Sequence, residues 1–375
     1  MVRVFVILVL IITASNFLAA QPAEFAGQAS SWLQFGRDIK NNASLGLRYI
    51  PEFKWQHEIF ENNIFDLEIS ANLFGSHLLR TSSHPDHYSA VKLYRAWMRV
   101  FGEQYELRAG LQKINFGPAR ILRTLRWFDR VDPRDPLQLS DGVYGLLGRY
   151  YFLNNANIWL WGLYGNNNVK GLEMLPSAKR SAEWGGRLQF PLPRGEMGIT
   201  FHRRRFTDSS NEGKSYSAPE IRVAIDGSWD LGIGIWYEAA LTKSEYSDES
   251  EFENKWQKLI TVGSDFTFEW LNGLHVTYEH LFFDLSKQAD KWQNRFDFSA
   301  LMIDFMVNLT DRASLVQFYS WEQNQLYNYL SWQRSYDNWM VNLSAFWNPV
   351  SVELFNNQQT VLAGKGVQIM LVYNH

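Results

Sequence analysis

The chain has 375 residues, of which 46% are hydrophobic and 16% aromatic, and it has no cysteine. Its formal net charge of -3 argues against a nucleic-acid partner. Its mean hydropathy is -0.28, and no apolar run of about 18 residues follows the first segment, which excludes helical membrane spans. Disulfides are also excluded, so the fold has to be stabilised by its sheets and its packing.

Residues 1–20 are typical of a secretory signal peptide. One basic residue, Arg3, precedes an apolar run over 4–13, and small residues stand just before Gln21. A membrane-anchor helix is the alternative, but the run falls short of the ~20 residues that a span needs. We therefore predict a signal peptide over 1–20 and one domain over 21–375.

The rest of the chain alternates apolar and polar side chains, which is the period of a β-strand. A first strand is predicted around 32–37, and the next over 44–53 with Pro51 marking its end. In residues 231–241 the apolar face opposes Gly232, Gly234, Trp236 and Glu238. The last strand ends within two residues of the C-terminus, where it can close a barrel and be read by the barrel-assembly machinery.

Short connections alternate with long polar ones along the chain. Near the C-terminus, for example, short connections are predicted at 310–311 and 348–349, and long ones at 322–335 and 356–364. This rhythm, together with the aromatic content, predicts an all-β fold: a transmembrane up-and-down antiparallel β-barrel of about 18 strands, with 16 as the alternative count. In a soluble β-sandwich or β-helix we would expect neither the alternation of short and long connections nor the high aromatic content.

The longest connection, residues 117–140, is rich in arginine and is expected to fold inward as a constriction loop. Three aspartates and three prolines are interleaved with the arginines, and on a helical turn the arginines would share one face. Two interpretations stay open: a ladder that draws anions to the constriction, or ion pairs with the aspartates that pin the loop. The arginines are Arg120, Arg123, Arg126, Arg130 and Arg134.

A second basic cluster lies at the end of a strand over 198–206. Alternation places His202 and Arg204 toward the lumen, and Arg203 and Arg205 toward the lipid. The outward pair is suited to the phosphates of lipopolysaccharide, although a solvated strand end gives the same pattern. Arg108 and Arg149, on the strands that flank the long loop, are also predicted to face the lumen.

Residues 105–140 resemble a segment of Gram-negative outer-membrane barrels. Arg108, Gly110 and Gln112 form an R-x-G-x-Q strand, which is followed by a Gly-Pro turn and two Asp-Pro pairs. The segment is similar to the phosphate-selective porin and polysaccharide-export porin families. The resemblance implies an inward-folded loop and transport of small anionic solutes or an acidic glycan.

We therefore expect an outer-membrane porin for passive diffusion of small, anionic solutes, with the loop arginines, Arg108, Arg149 and Arg204 setting the potential. The second hypothesis is a non-channel barrel with a plugged lumen that acts in surface binding or in envelope or polysaccharide assembly. A hydrolase ranks last because no nucleophile and base stand together. The expected partners are outer-membrane lipid and lipopolysaccharide, and a homo-oligomer is left open.

No cofactor is predicted from the sequence. His77, His84, Asp86 and His87 are close together along the chain, but their spacing is not specific for a metal site. We therefore predict no metal centre and no enzymatic activity.

Overall fold

The structure, a computed structural model, describes residues 23–36, 43–60, 62–79, 87–129, 131–209, 215–246, 254–270, 272–349 and 364–375. These residues form one sheet of 18 strands. No helix among them is long and apolar enough to cross a membrane. The strands are β1 (Glu24–Gly36), β2 (Ala43–Phe60), β3 (Asn63–Leu79), β4 (His87–Phe101), β5 (Tyr105–Gln112), β6 (Val143–Tyr151), β7 (Asn157–Leu163), β8 (Glu183–Leu192), β9 (Gly195–Ser209), β10 (Ser215–Asp230), β11 (Gly234–Ser244), β12 (Trp256–Phe268), β13 (Leu274–Ser286), β14 (Asn294–Met306), β15 (Asp311–Ser320), β16 (Gln325–Ser335), β17 (Trp339–Trp347) and β18 (Lys365–Asn374).

The sheet closes on itself. Each strand pairs antiparallel with its neighbours in sequence, and β1 pairs with both β2 and β18. The amide of Gly27 donates to the carbonyl of His375 at 3.0 Å, so the first strand and the last residue meet at the seam. Closure leaves no free edge for unwanted pairing. The predicted up-and-down barrel is confirmed, with 18 strands rather than 16.

The two faces of the sheet differ as the alternation predicted. Leu107, Leu146, Leu160 and Ile199 are exposed on the outer face, which is the arrangement of strands that face lipid. The inner face carries buried polar and charged side chains such as Thr200 and Glu238. The polar core of the molecule is therefore the barrel interior.

The last two hairpins differ from the prediction. Residues 325–335, predicted as a long loop, form β16, and the long connection runs over 348–364 instead. In β16, Tyr327 and Tyr329 are buried on the inner side while Leu326 and Leu330 are exposed on the outer side. Because both faces carry large apolar groups, the alternation that marks a strand is hidden.

Pro51 does not end a strand. It lies within β2 opposite Gly27, and the β2–β3 register skips Ile50 and Pro51 next to a bulge at Ser70 and Ala71. Proline has no N–H to donate, and the β2–β3 pairing omits it at this point. The first strand is also longer than predicted, since β1 begins at Glu24. The predicted signal peptide, 1–20, lies outside the described residues.

Candidate functional site inside the barrel

The connection between β5 and β6, residues 113–142, folds into the barrel; it is called the inner loop below. The two flanking strands have only 8 and 9 residues, against 18 in β2, so the chain leaves the wall early. The apolar side chains of Ile114, Phe116, Leu125 and Trp127 are buried against wall residues of β6, β7, β10 and β11. This packing stabilises the inner loop inside the lumen.

Two carboxylates of the wall bind the backbone of the inner loop. Glu279 of β13 accepts hydrogen bonds from the amides of Arg120 (2.7 Å), Ile121 (3.0 Å) and Leu122, and from the indole of Trp236 (3.1 Å). Glu238 of β11 accepts hydrogen bonds from the amides of Ala119 (2.9 Å) and Leu125 (2.8 Å). Both carboxylates are fully buried. They satisfy amides that have no strand partner, and such buried donors are costly when unpaired.

A third attachment lies between these carboxylates, on β12. The hydroxyl of Thr261 donates to the carbonyl of Leu122 at 2.6 Å, and it lies 2.9 Å from the hydroxyl of Thr124. Ile121 and Leu122 pack in a second apolar cluster with wall residues from β12 to β17. The first half of the inner loop is therefore held by backbone contacts and by packing.

The second half of the inner loop reaches the opposite wall. Arg134 lies over the ring of Phe318 of β15, at 5.9 Å. Arg95 of β4 donates to the carbonyl of Ser140 at 2.9 Å. Since β4 and β11 to β15 lie on different sides of the barrel, the inner loop crosses the lumen.

Two ion pairs form within the inner loop, Arg123 with Asp129 and Arg134 with Asp132. Burial raises the pKa of Asp135, although its carboxylate accepts hydrogen bonds from the amides of Leu137 and Leu139. Burial also acts to raise the pKa of Asp132. The charge and hydrogen bonds of the neighbouring Arg134 outweigh burial, so the pKa of that carboxyl is lowered. Asp132 therefore stays ionised beside its arginine, which fixes a local ion pair.

The predicted loop arginines are not on one face, because the described part of the inner loop forms turns and no helix. Arg120 is the most exposed, at 48%, and pairs with Asp265 at 2.6 Å. Arg123 is 10% exposed and pairs with Asp129, and Arg134 is 21% exposed and pairs with Asp132. Arg126 donates to the carbonyl of Val131. Arg130 lies outside the described residues.

The predicted wall arginines all face inward. Arg108 and Arg149 share the carboxylate of Glu106, at 2.8 and 3.4 Å, and each lies over an indole, that of Trp97 or of Trp159. Arg204 is buried higher on the wall. Arg108 and Arg149 are 16% and 17% exposed, so of the three wall arginines these two keep some accessible surface, whereas Arg204 is buried.

A second connection, residues 164–182 between β7 and β8, also folds inward. Lys170 and Glu173 of this connection are buried in an ion-pair network with β8, β9 and β10. The amide of Leu172 donates to the carbonyl of Arg126 at 3.2 Å, which joins the second connection to the inner loop. The wall residues of the network are Glu183, His202, Arg204, Glu220 and Arg222.

Sequence reasoning missed Glu238, Glu279 and Thr261 as the residues that hold the inner loop. The available signal was a single carboxylate on the inner face of an otherwise apolar strand, as at Glu238 in residues 231–241. Its partners are backbone amides, which every residue carries, so no pattern in the loop identifies them.

Among the residues that the structure describes, no three His, Asp or Glu side chains come together as a metal site requires. Of the cluster weighed from the sequence, His84 and Asp86 lie outside the described residues.

No family model and no curated protein sequence matches the chain. Several solved structures, however, are similar to this chain in fold. Wzi of Escherichia coli, described as an outer-membrane protein involved in group 1 capsule assembly and a carbohydrate-binding β-barrel, is 12% identical, with a TM-score of 0.54 over 96% of this chain and 86% of that chain. OccD3 (OpdP) of Pseudomonas aeruginosa is 10% identical, with a TM-score of 0.56 over 95% and 91%.

OmpF of Salmonella typhi, solved in complex with daunomycin, is 8% identical, with a TM-score of 0.52 over 95% of this chain and 98% of that chain. At these identities the likeness concerns the fold alone. The chain has the fold of outer-membrane porins, a closed antiparallel barrel, here of 18 strands.

Proposed function

We propose that this protein is an outer-membrane channel through which small solutes, preferentially anions, diffuse past the inner loop. The observation that carries the proposal is the attachment of the inner loop to Glu238 and Glu279 across an 18-stranded barrel. Barrels of this size leave an aqueous lumen unless something fills it. A loop fixed across the lumen narrows it to a constriction.

The preference for anions is supported by the charges that remain accessible. Arg120 and Arg134 keep part of their guanidinium groups exposed, and Arg108 and Arg149 border the lumen with only Glu106 between them. Guanidinium groups bind carboxylate and phosphate with paired hydrogen bonds. Asp132 and Asp265 reduce the local potential, so we expect a modest preference rather than strict selectivity.

The test is the reversal potential of the folded chain in a planar bilayer under a KCl gradient. Wild-type protein should show an anion preference, and the double variant R120E/R134E should shift the reversal potential toward cation selectivity. R203E/R205E is a matched control, because Arg203 and Arg205 carry the same two charges on the outer face of β9. An unchanged reversal potential in R120E/R134E would overturn the assignment of these arginines.

A second candidate function is a non-channel barrel with a filled lumen. Two apolar clusters and a buried ion-pair network occupy the interior around both inward connections. Wzi, which shares the fold at 12% identity, is described as a carbohydrate-binding barrel. A chain that is shown to be folded in the bilayer and yet conducts no ions would favour this candidate over the channel.

A further inference from the structure

The outer face of the barrel carries a local excess of positive charge at the end of the long connections. Arg203 and Arg205 of β9 are exposed, and Lys243 of β11 is 42% exposed. Arg203, Arg205 and Lys243 are called the basic patch. The only described acidic residue paired with it is Glu245, which contacts Lys243 at 3.0 Å.

The depth of the basic patch in the membrane follows from the strands that carry it. Ile199, Val223 and Ile225 form an exposed apolar band on the same face, two to four residues from the level of Arg203 in the paired strands β9 and β10. Trp184 is 52% exposed and lies directly opposite Arg203. Aromatic side chains mark the boundary between the hydrocarbon layer and the headgroups. Long connections are extracellular in such barrels, so the basic patch lies at the headgroups of the outer leaflet.

The basic patch differs from two other exposed basic side chains, which have carboxylate partners. Lys92 pairs with Asp141 at 2.8 Å, and Arg295 pairs with Asp297 at 2.6 Å. In the basic patch, Arg205 donates only to the hydroxyl and carbonyl of Ser217. Among the described residues, Arg203 has no carboxylate within ion-pair distance. Its guanidinium is available for an anion.

We propose that the basic patch binds the phosphate groups of lipopolysaccharide in the outer leaflet. Arginine binds phosphate with two parallel hydrogen bonds. Arg203 and Arg205 are two residues apart on one face, about 7 Å, and Lys243 is two strands from Arg203, about 10 Å away. This spacing presents several cations to one phosphorylated headgroup, while the apolar band beneath receives its acyl chains.

The test compares refolded wild-type barrel with R203Q/R205Q and with the control K92Q/R295Q, which removes the same charge from paired positions. Native mass spectrometry counts the lipid A molecules that each folded barrel retains. We expect R203Q/R205Q to bind bisphosphorylated lipid A at least about tenfold more weakly than wild type, and K92Q/R295Q to bind as wild type does. Equal binding by the two variants would overturn the proposal.

Two further probes distinguish the source of the phosphate. Dephosphorylated lipid A should bind wild-type barrel weakly, and inorganic phosphate should not displace bisphosphorylated lipid A. If phosphatidylglycerol or inorganic phosphate competes as well as lipid A does, the basic patch is a general anion site and the assignment to lipopolysaccharide is wrong. The result does not depend on conduction, so this proposal and the channel function can fail separately.

Discussion

Single residues decide where the inner loop lies. The carboxylate of Glu279 accepts hydrogen bonds from three consecutive amides, those of residues 120–122, and from Trp236. A carboxylate has room for about four such bonds, so this one is saturated. The inner loop therefore has a fixed backbone position although it has no secondary structure of its own.

Replacing Glu279 by alanine leaves four buried donors without an acceptor. We expect E279A to lower the free energy of unfolding by about 2–4 kcal/mol, since each unpaired buried donor is costly. Urea titration of the refolded barrel, followed by tryptophan fluorescence, measures this change. E245A is the control, because Glu245 is 54% exposed at the rim and should change stability by no more than about 0.5 kcal/mol. Equal losses in both variants would show that the Glu279 contacts do not hold the loop.

The sequence identifies the charged residues of the lumen but not their pairing. Alternation correctly placed Arg204 and His202 inward and Arg203 outward, because side-chain direction in a strand depends only on position along it. The spacing of the loop arginines along the chain did not predict where their side chains point, since turns have no fixed period. Arg120 pairs with Asp265, a residue far away along the chain, and a contact of that kind has no local signature.

At the scale of elements, the two inward connections act as a unit. Gly171 of the second connection has a φ of 46°, and a Cβ there would overlap the carbonyl oxygen of Arg126 in the inner loop. The close approach of the two backbones therefore requires glycine at this position. Because the contact joins the inner loop to the ion-pair network, disturbing it should loosen both connections.

We expect G171A to make both connections more accessible to protease in the folded barrel. Limited proteolysis with mass-spectrometric identification of the cut sites measures this. Gly165 offers a matched control in the same connection: its φ is also positive, at 81°, but a Cβ there would meet nothing within 4 Å. G165A therefore strains the backbone at a positive φ as G171A does, but its added Cβ does not clash with another residue. If G165A and G171A are cut alike, the contact with Arg126 is not what orders the connections.

Strands are the elements that the sequence predicts best. Alternation is local, so strands such as β5 and β11 follow from a few side chains. β16 was missed because its outer and inner faces are both rich in large apolar groups. Pro51 was misjudged because β2 continues past it: the pairing with β3 omits Ile50 and Pro51 and resumes at Glu52 in the same register, which the sequence of β2 alone does not reveal.

At the scale of the whole molecule, closure and strand number followed from the rhythm of short and long connections, whereas the path of the inner loop did not. Residues Leu122 and Glu279 are 157 positions apart, and only the assembled barrel brings them together. The proposed channel function depends on that path, because an inner loop across the lumen would set the width of the passage.

The absence of cysteine from the chain makes the path of the inner loop testable by cross-linking. Thr124 and Thr261 have hydroxyls 2.9 Å apart, so we expect T124C/T261C to form a disulfide on mild oxidation of the folded barrel. A faster-migrating band on a non-reducing gel, reversed by reductant, reports it. T124C/S31C should not cross-link, because Ser31 lies on a distant strand. A disulfide in both pairs, or in neither, would contradict the position of the inner loop.

The most direct test of the account is the single-channel conductance of the folded wild-type barrel beside a variant in which a short Gly-Ser linker replaces residues 118–139. Resistance to denaturation in detergent would first show that both barrels are folded. If the inner loop narrows an open lumen, wild type conducts and the variant conducts several-fold more. Equal conductance in the two proteins would contradict the account, because the inner loop would then lie outside the path of the ions.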